Sequence, residues 1–156
     1  MAGPDLPSFH GIIGRSAAMQ ALFREMEDFA SSNLPVLIRG ESGTGKELVA
    51  AAIQRLSGRR ARAYQIINCA DLTPELLRSE LFGHERGAFT GAVGRKEGLL
   101  TRVHGGTVFL DEIGELSPRA QTMLLRFLQA GEGLAVGATR STRIDVRVIA
   151  ATHRDL

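Results

Sequence analysis

Apolar positions recur along the chain in two alternating rhythms. From Ala17 onward, Met19, Leu22, Phe23, Met26, Phe29 and Ala30 return at spacings of three and four, and Ser16 stands ahead of them as a side-chain cap. That spacing predicts an amphipathic helix. Pro35 then precedes Val36-Leu37-Ile38, a short run apolar at every position, as in a strand buried on both faces. Leu48, Val49, Ala52, Ile53 and Leu56 resume the helical spacing, which stops near Ser57-Gly58 with Arg55, Arg59 and Arg60 close to the C-terminal end. Residues 64–68 read as a second strand, and Thr73-Pro74 opens a helix reaching about Phe82. Thr107-Val108-Phe109-Leu110 forms a third buried run, closed by Asp111-Glu112. Ser117-Pro118 starts a helix carrying Met123, Leu124, Phe127 and Leu128 that ends around Gly131–Gly133, and a last strand runs from Val146 to Ala151. Strands apolar on both faces, alternating with helices, predict an α/β fold in three layers with a mainly parallel sheet.

Between Gly83 and Gly98 the periodicity lapses and five glycines occur, at 83, 87, 91, 94 and 98, so this stretch is expected to be a long loop. Residues 1–10, with Pro4 and Pro7, are expected to be a disordered lead-in, leaving 11–156 as one domain. Composition agrees: 44% apolar and 23% charged residues are enough for a core and far from the signature of disorder. Nineteen Lys+Arg against 17 Asp+Glu leave a net charge of +2, too small a field to hold nucleic acid by itself. The single cysteine, Cys69, excludes an intrachain disulfide, and no apolar run approaches the roughly 18 residues of a membrane span. Both point to the cytoplasm and away from a membrane.

Gly40-Glu41-Ser42-Gly43-Thr44-Gly45-Lys46-Glu47 lies between a buried strand and a helix and matches the phosphate-binding pattern G-x-x-x-x-G-K. Glycines let successive N–H groups face inward, the helix N-terminus adds partial positive charge, and Lys46 can place an ammonium on the outer phosphates of a triphosphate. The serine or threonine that usually follows the lysine and helps hold Mg²⁺ is Glu47 here, so metal ligation must rest on other groups. Asp111 and Glu112 sit at the C-terminal edge of a strand, where ligands bind in such sheets. Asp111 is the expected Mg²⁺ ligand. Glu112, adjacent and on the other face of the pleat, is the expected activator of water. In the long loop, Gly87-Ala88-Phe89-Thr90-Gly91-Ala92 surrounds Phe89 with glycines, which leaves two readings open: an aromatic at an exposed tip, or one folded back on the domain. Residues 150–155 end the last strand beside the same crevice; His153 and its neighbours could sense the terminal phosphate or orient water, or only cap a helix that follows the strand.

These segments together resemble the central AAA+ ATPase domain of bacterial sigma-54-dependent transcription activators, the NtrC-type enhancer-binding proteins. The resemblance runs from about Ile12 to Leu156 and includes the glutamate at 47. Glu80-Leu81-Phe82-Gly83-His84-Glu85, followed by Gly-Ala-Phe-Thr-Gly-Ala at 87–92, is similar to the family's sigma-contacting signature. It implies that Phe89 and Thr90 touch the sigma factor, with the exposed tip as the favoured conformation. It also implies that Asn68 is a switch residue pairing with Glu112, and that Ile12, Ile13 and Gly14 wrap the adenine. His153 stands where the family usually has asparagine, and imidazole can also donate a hydrogen bond. The implied activity is ATP hydrolysis with Mg²⁺, coupled to remodelling of the RNA polymerase closed complex by a homo-oligomeric ring. The arginine fingers, last strand, helical lid and DNA-binding domain of the family are expected beyond residue 156, so weak hydrolysis is expected of this stretch. A non-catalytic scaffold that presents the sigma-contacting loop is the rival reading, and an AAA+ remodeller of other proteins is a third that the contiguous 87–92 motif disfavours.

Overall fold

The computed structural model describes residues 8–70 and 72–154. In chain order the elements are β1 (Ser8–Phe9), β2 (Ile12–Ile13), α1 (Ala17–Ala30), β3 (Val36–Arg39), α2 (Lys46–Leu56), β4 (Tyr64–Asn68), α3 (Pro74–Phe82), β5 (Gly83–His84) and β6 (Lys96–Glu97). They continue with α4 (Leu99–Arg102), β7 (Thr107–Asp111), a 3-10 turn at Ile113–Glu115, α5 (Pro118–Ala130), β8 (Glu132–Gly133), β9 (Thr142–Arg143) and β10 (Arg147–Thr152). One parallel four-stranded sheet runs in the order β3-β10-β7-β4, and three short antiparallel hairpins stand apart from it.

The two central strands explain the unbroken apolar runs. Phe109, Ile149 and Ala151 pack with α1 and α2 on one face. Val108, Leu110, Val148 and Ala150 pack with α3 and α5 on the other. Neither face of β7 or β10 meets water along its length, so no polar alternation survives there. The predicted three-layer α/β arrangement is the one observed. The helices begin where their caps lie: Ser16, Thr73 and Ser117 each accept a hydrogen bond from the backbone N–H three residues on.

Three local differences from the sequence reading have physical causes. First, Ser8 and Phe9 fall within the expected lead-in, yet they pair with Ile13 and Ile12, and Phe9 stacks on Phe23 at 4.4 Å. Two-residue strands carry no period to read, and residues 1–7 lie outside the described residues. Second, the stretch 83–98 is closed at its base by the β5–β6 hairpin. A side chain at Gly83 would meet the Lys96 carbonyl oxygen at 2.3 Å, and one at Gly98 would meet the Phe82 carbonyl carbon at 2.4 Å. These glycines serve close approach of two backbones. The hairpin is braced by the segment after β8, where Glu85 N–H donates to Val136 O and Val136 N–H donates to Gly83 O, both at 2.9 Å.

Third, the last strand starts at Arg147, not at apolar Val146, and runs one residue further, to Thr152. Arg147 is 2% exposed. Its guanidinium donates to the carbonyls of Phe29 and Ala30 at the C-terminal end of α1, a helix with no basic residue in its own last turn. Burial, with Arg59 nearby, pulls its pKa below the ordinary arginine value. A cation supplied by a distant strand thus caps this helix. Arg147→Ala is expected to lower the unfolding free energy by about 3 kcal/mol in urea titrations, and Arg147→Met by less, because methionine restores apolar packing but not the bonds to the helix end.

Candidate functional site

The parallel sheet brings the ends of β3, β7, β10 and β4 to one edge, where polar side chains can at last meet solvent. From β3 the chain enters the turn 40–45. Its Gly40 N–H donates to Thr152 O at 3.2 Å, which ties the turn to β10. Thr44 Oγ1 donates to Glu41 O at 2.7 Å, closing the curl. Gly45, at φ 89°, is the residue before α2 and offers no side-chain cap, so no side chain blocks the amides at the start of that helix. Free amides at a helix start form an anion site. Lys46 is 8% exposed, and its Nζ donates to Gly40 O at 2.9 Å and Glu41 O at 3.0 Å. The same ammonium lies 3.8 Å from Glu112 Oε1.

At the end of β7 the structure revises how Glu112 reaches the site. It does not follow the pleat: its backbone turns left-handed, with φ 54° and ψ 46°. Such a conformation is costly for a residue with a Cβ and persists only where surrounding contacts hold it. Those contacts come from the end of β10. His153 Nδ1 lies 2.6 Å from Glu112 Oε2, and the His153 N–H donates to the same oxygen at 3.4 Å. The His153 hydrogen bond is the largest influence holding the Glu112 carboxyl below its usual pKa, against an opposing push from burial; the charges of His153 and Lys46 add to the lowering. On the far side of the imidazole, Nε2 is 3.7 Å from Glu115 Oε1, and Arg154 donates to Glu115 Oε2 at 2.8 Å. At this strand end the imidazole is linked to two carboxylates, and the Arg154 N–H also closes a local turn by donating to Thr152 Oγ1 at 3.1 Å. Asp155 lies outside the described residues.

Asp111 Oδ1 accepts the Glu112 N–H at 3.0 Å. No group of three or more His, Cys, Asp or Glu side chains is gathered for a metal among the described residues. A single carboxylate suits an ion that keeps waters and takes its other ligands from phosphates, as Mg²⁺ does. Asn68 faces Asp111 in register, but its Oδ1 accepts the Ala70 N–H at 2.9 Å, and the pairing with Glu112 implied by the resemblance is absent. The reason is topological: β4 and β10 flank β7 on opposite sides, and the left-handed turn commits Glu112 to the β10 side. Ile12 packs toward the α1–α2 cluster, Ile13 is exposed, and Gly14 lies so close to Met19 that a side chain there would meet it at 2.7 Å.

The motif at 87–92 forms a tight loop in which Gly87 N–H donates to Ala92 O and Ala92 N–H donates to Phe89 O. Phe89 satisfies part of each open reading. Its ring rests edge-on against His84 at 4.9 Å, yet it stays 40% exposed. His84 is held in turn by Ser79 Oγ, 2.7 Å from Nδ1. Sequence reasoning missed His84 as this support and Val93, 87% exposed just after the loop, because neither falls in a periodic segment.

Residues 12–156 match the sequence profile of the sigma-54 interaction domain. The chain belongs to that family. The transcriptional regulatory protein ZraR of Salmonella typhimurium is 53% identical over 158 residues, covering 99% of this chain and 36% of ZraR. NtrX of Brucella abortus, solved in complex with ATP, has a similar structure with TM-score 0.82 and 37% identity, covering 92% of this chain and 30% of NtrX. The P-loop NTPase domain of a sigma-54 transport activator from E. coli shares the fold, with TM-score 0.55 and 18% identity over 91% of this chain and 79% of that one. The chain spans between about a quarter and about a third of the length of the curated relatives it matches. The sigma-54 domain is thus a P-loop NTPase fold, with the sheet edge just described as its nucleotide-binding candidate.

Removing the imidazole tests the electrostatics of this edge. In His153→Ala the Glu112 carboxyl is expected to titrate at higher pH than in the wild type, followed by NMR of the side-chain carboxyl carbon. Since the folded-state pKa is depressed, the contact stabilises the fold above the unfolded-state value of about 4.3, and that contribution fades as pH falls through the folded-state value. The variant should lack this acid-side component.

Proposed function

We propose that this domain binds ATP with Mg²⁺ at the sheet edge, hydrolyses it, and uses the cycle to act on the sigma-54 factor through the loop 87–92. The observation that carries the reading is the convergence of Lys46 and Glu112, 3.8 Å apart, beside uncapped helix amides. The sigma-54 family membership and the ATP complex of NtrX support it.

In this reading the amides of residues 42–46 hold the phosphates, with the first turn of α2 completing the cradle. Lys46 exchanges its bonds to the Gly40 and Glu41 carbonyls for the outer phosphate oxygens. Asp111 would hold Mg²⁺, which supplies charge neutralisation on those phosphates when bound. Glu112, kept ionised by His153, accepts a proton from the attacking water as the oxygen adds to phosphorus and the bond to the leaving diphosphate breaks. His153 positions Glu112, and Asn68, on the other flank of β7, lies beside Asp111. Ile12, Ile13 and Gly14 contact the base. Phe89 and Thr90, with the glycines and alanines around them, form the contact with the sigma factor. Residues 11–156 act as part of an ATPase domain that assembles into a ring in the cytoplasm, and any DNA contact is made by another part of the protein.

A scaffold that does not hydrolyse ATP is the second reading. It draws on one observation: both Lys46 and Glu112 are tied to protein partners here. The two separate cleanly in nucleotide binding and single-turnover hydrolysis. Lys46→Ala is expected to lose ATP binding by at least tenfold, whereas Glu112→Gln keeps it and lowers hydrolysis at least a hundredfold. Glu112→Gln hydrolysing at the wild-type rate would overturn the assigned role and leave the scaffold.

A further inference from the structure

A groove of about 710 Å³ lies beside the loop 87–92, away from the sheet edge. Its floor is rigid, because the rings of Phe82 and Phe127 meet edge to face at 5.7 Å and both are buried. Phe89 and Leu134, each 40% exposed, stand among its lining residues, with Met123 on α5. Arg78 on α3 and Arg126 on α5 also line it. Among the other charges there, Arg119 lies 3.9 Å from Glu75, while Glu132 accepts only from the neutral Ser141 Oγ. Arg78 and Arg126 form no ion pair among the described residues. The groove therefore pairs an apolar base with a lining of three arginines against two glutamates, a net positive charge that complements a segment carrying both apolar and acidic side chains. Two cations separated by an apolar base suit a phosphodiester backbone poorly.

We propose that this groove receives an amphipathic acidic segment of the sigma-54 factor, apolar side chains seated between Phe89 and Leu134 and carboxylates on Arg78 and Arg126. The proposal rests on the reading of 87–92 as the sigma-contacting loop. Phe89 and Ala88 belong to both loop and groove, so a partner that holds the loop is continuous with whatever fills the groove.

The probe is purified sigma-54 factor, titrated by fluorescence anisotropy against the full chain with ATP present. Phe89→Ala reports on the loop, and the double variant Arg78→Glu/Arg126→Glu reports on the groove. The groove variant is expected to bind at least tenfold more weakly in 50 mM salt, with the gap narrowing in 500 mM salt as the charges are screened. If Phe89→Ala weakens binding and the double variant binds like the wild type, the groove proposal is overturned and the loop reading stands. Weakening by the double variant alone, with Phe89→Ala binding like the wild type, would overturn the loop reading and with it the seating of apolar side chains against Phe89. Absence of wild-type binding overturns both. A photoreactive benzoylphenylalanine in place of exposed Thr122, with both arginines intact, covers the case in which the double variant fails to fold. It is expected to capture a sigma segment rich in Asp or Glu beside apolar residues. Capture of a second copy of this chain, or of a sigma segment without acidic residues, would overturn the proposal.

Discussion

The side-by-side parallel pairing of β7 and β10, with both strands buried on both faces, is the constraint from which the rest of the site follows. Val148 lies opposite Val108 and Ala150 opposite Leu110, so the two strands end within a residue or two of each other. A polar side chain along such strands is costly without a partner: Arg147 finds two carbonyls, while the buried Thr107 hydroxyl finds none among the described residues. Chemistry is therefore confined to their ends. There Asp111 and Glu112 leave β7 while Thr152 and His153 leave β10, and Gly40 is tied to Thr152 from the third strand. The phosphate-binding turn is placed by this stitching as much as by its own glycines.

Glu112 illustrates how the edge stores local strain. Its left-handed backbone costs about 1 kcal/mol or more relative to an extended one. The carboxylate bond to His153, and the ammonium of Lys46 nearby, offset that cost. Three chain segments far apart in sequence thus hold one side chain in a conformation that none of them would favour alone. His153 in turn faces Glu115, whose other oxygen takes Arg154, so the imidazole is oriented between two carboxylates.

The loop 87–92 obeys a different economy. Little apolar area holds it: Ala92 is buried, Phe89 is half-covered by His84, and Val93 is bare. Its base, by contrast, is clamped. The glycines at 83 and 98 let two backbones pass closer than any side chain would permit, and the segment at 136 adds a third line of hydrogen bonds. A firm base under a lightly held tip suits a loop that must present side chains to a partner without unfolding the domain.

The chain's own pattern determined the four longer helices, the four main strands and the order in which they alternate, because caps, prolines and apolar spacing act over a few residues; the single-turn α4, with no side-chain cap, was not legible. It also marked Gly40 to Glu47 as a glycine-rich turn between strand and helix that matches a phosphate-binding pattern, since that turn is local. The two-residue strands, and the hairpin that closes 83–98, escaped such reading because their pairing partners lie outside any local period. So did the identity of Glu112's partner. Asn68 and His153 both end strands beside β7, and nothing in their local sequence says which the glutamate meets. Only the strand order, with β4 and β10 on opposite sides of β7, and the left-handed turn at Glu112 decided for His153. The buried Arg147 was likewise opaque, because its reason for being there is the end of a helix about 117 residues earlier in the chain. Local propensity is written in neighbours along the chain; the neighbours of a charge are chosen by the tertiary fold.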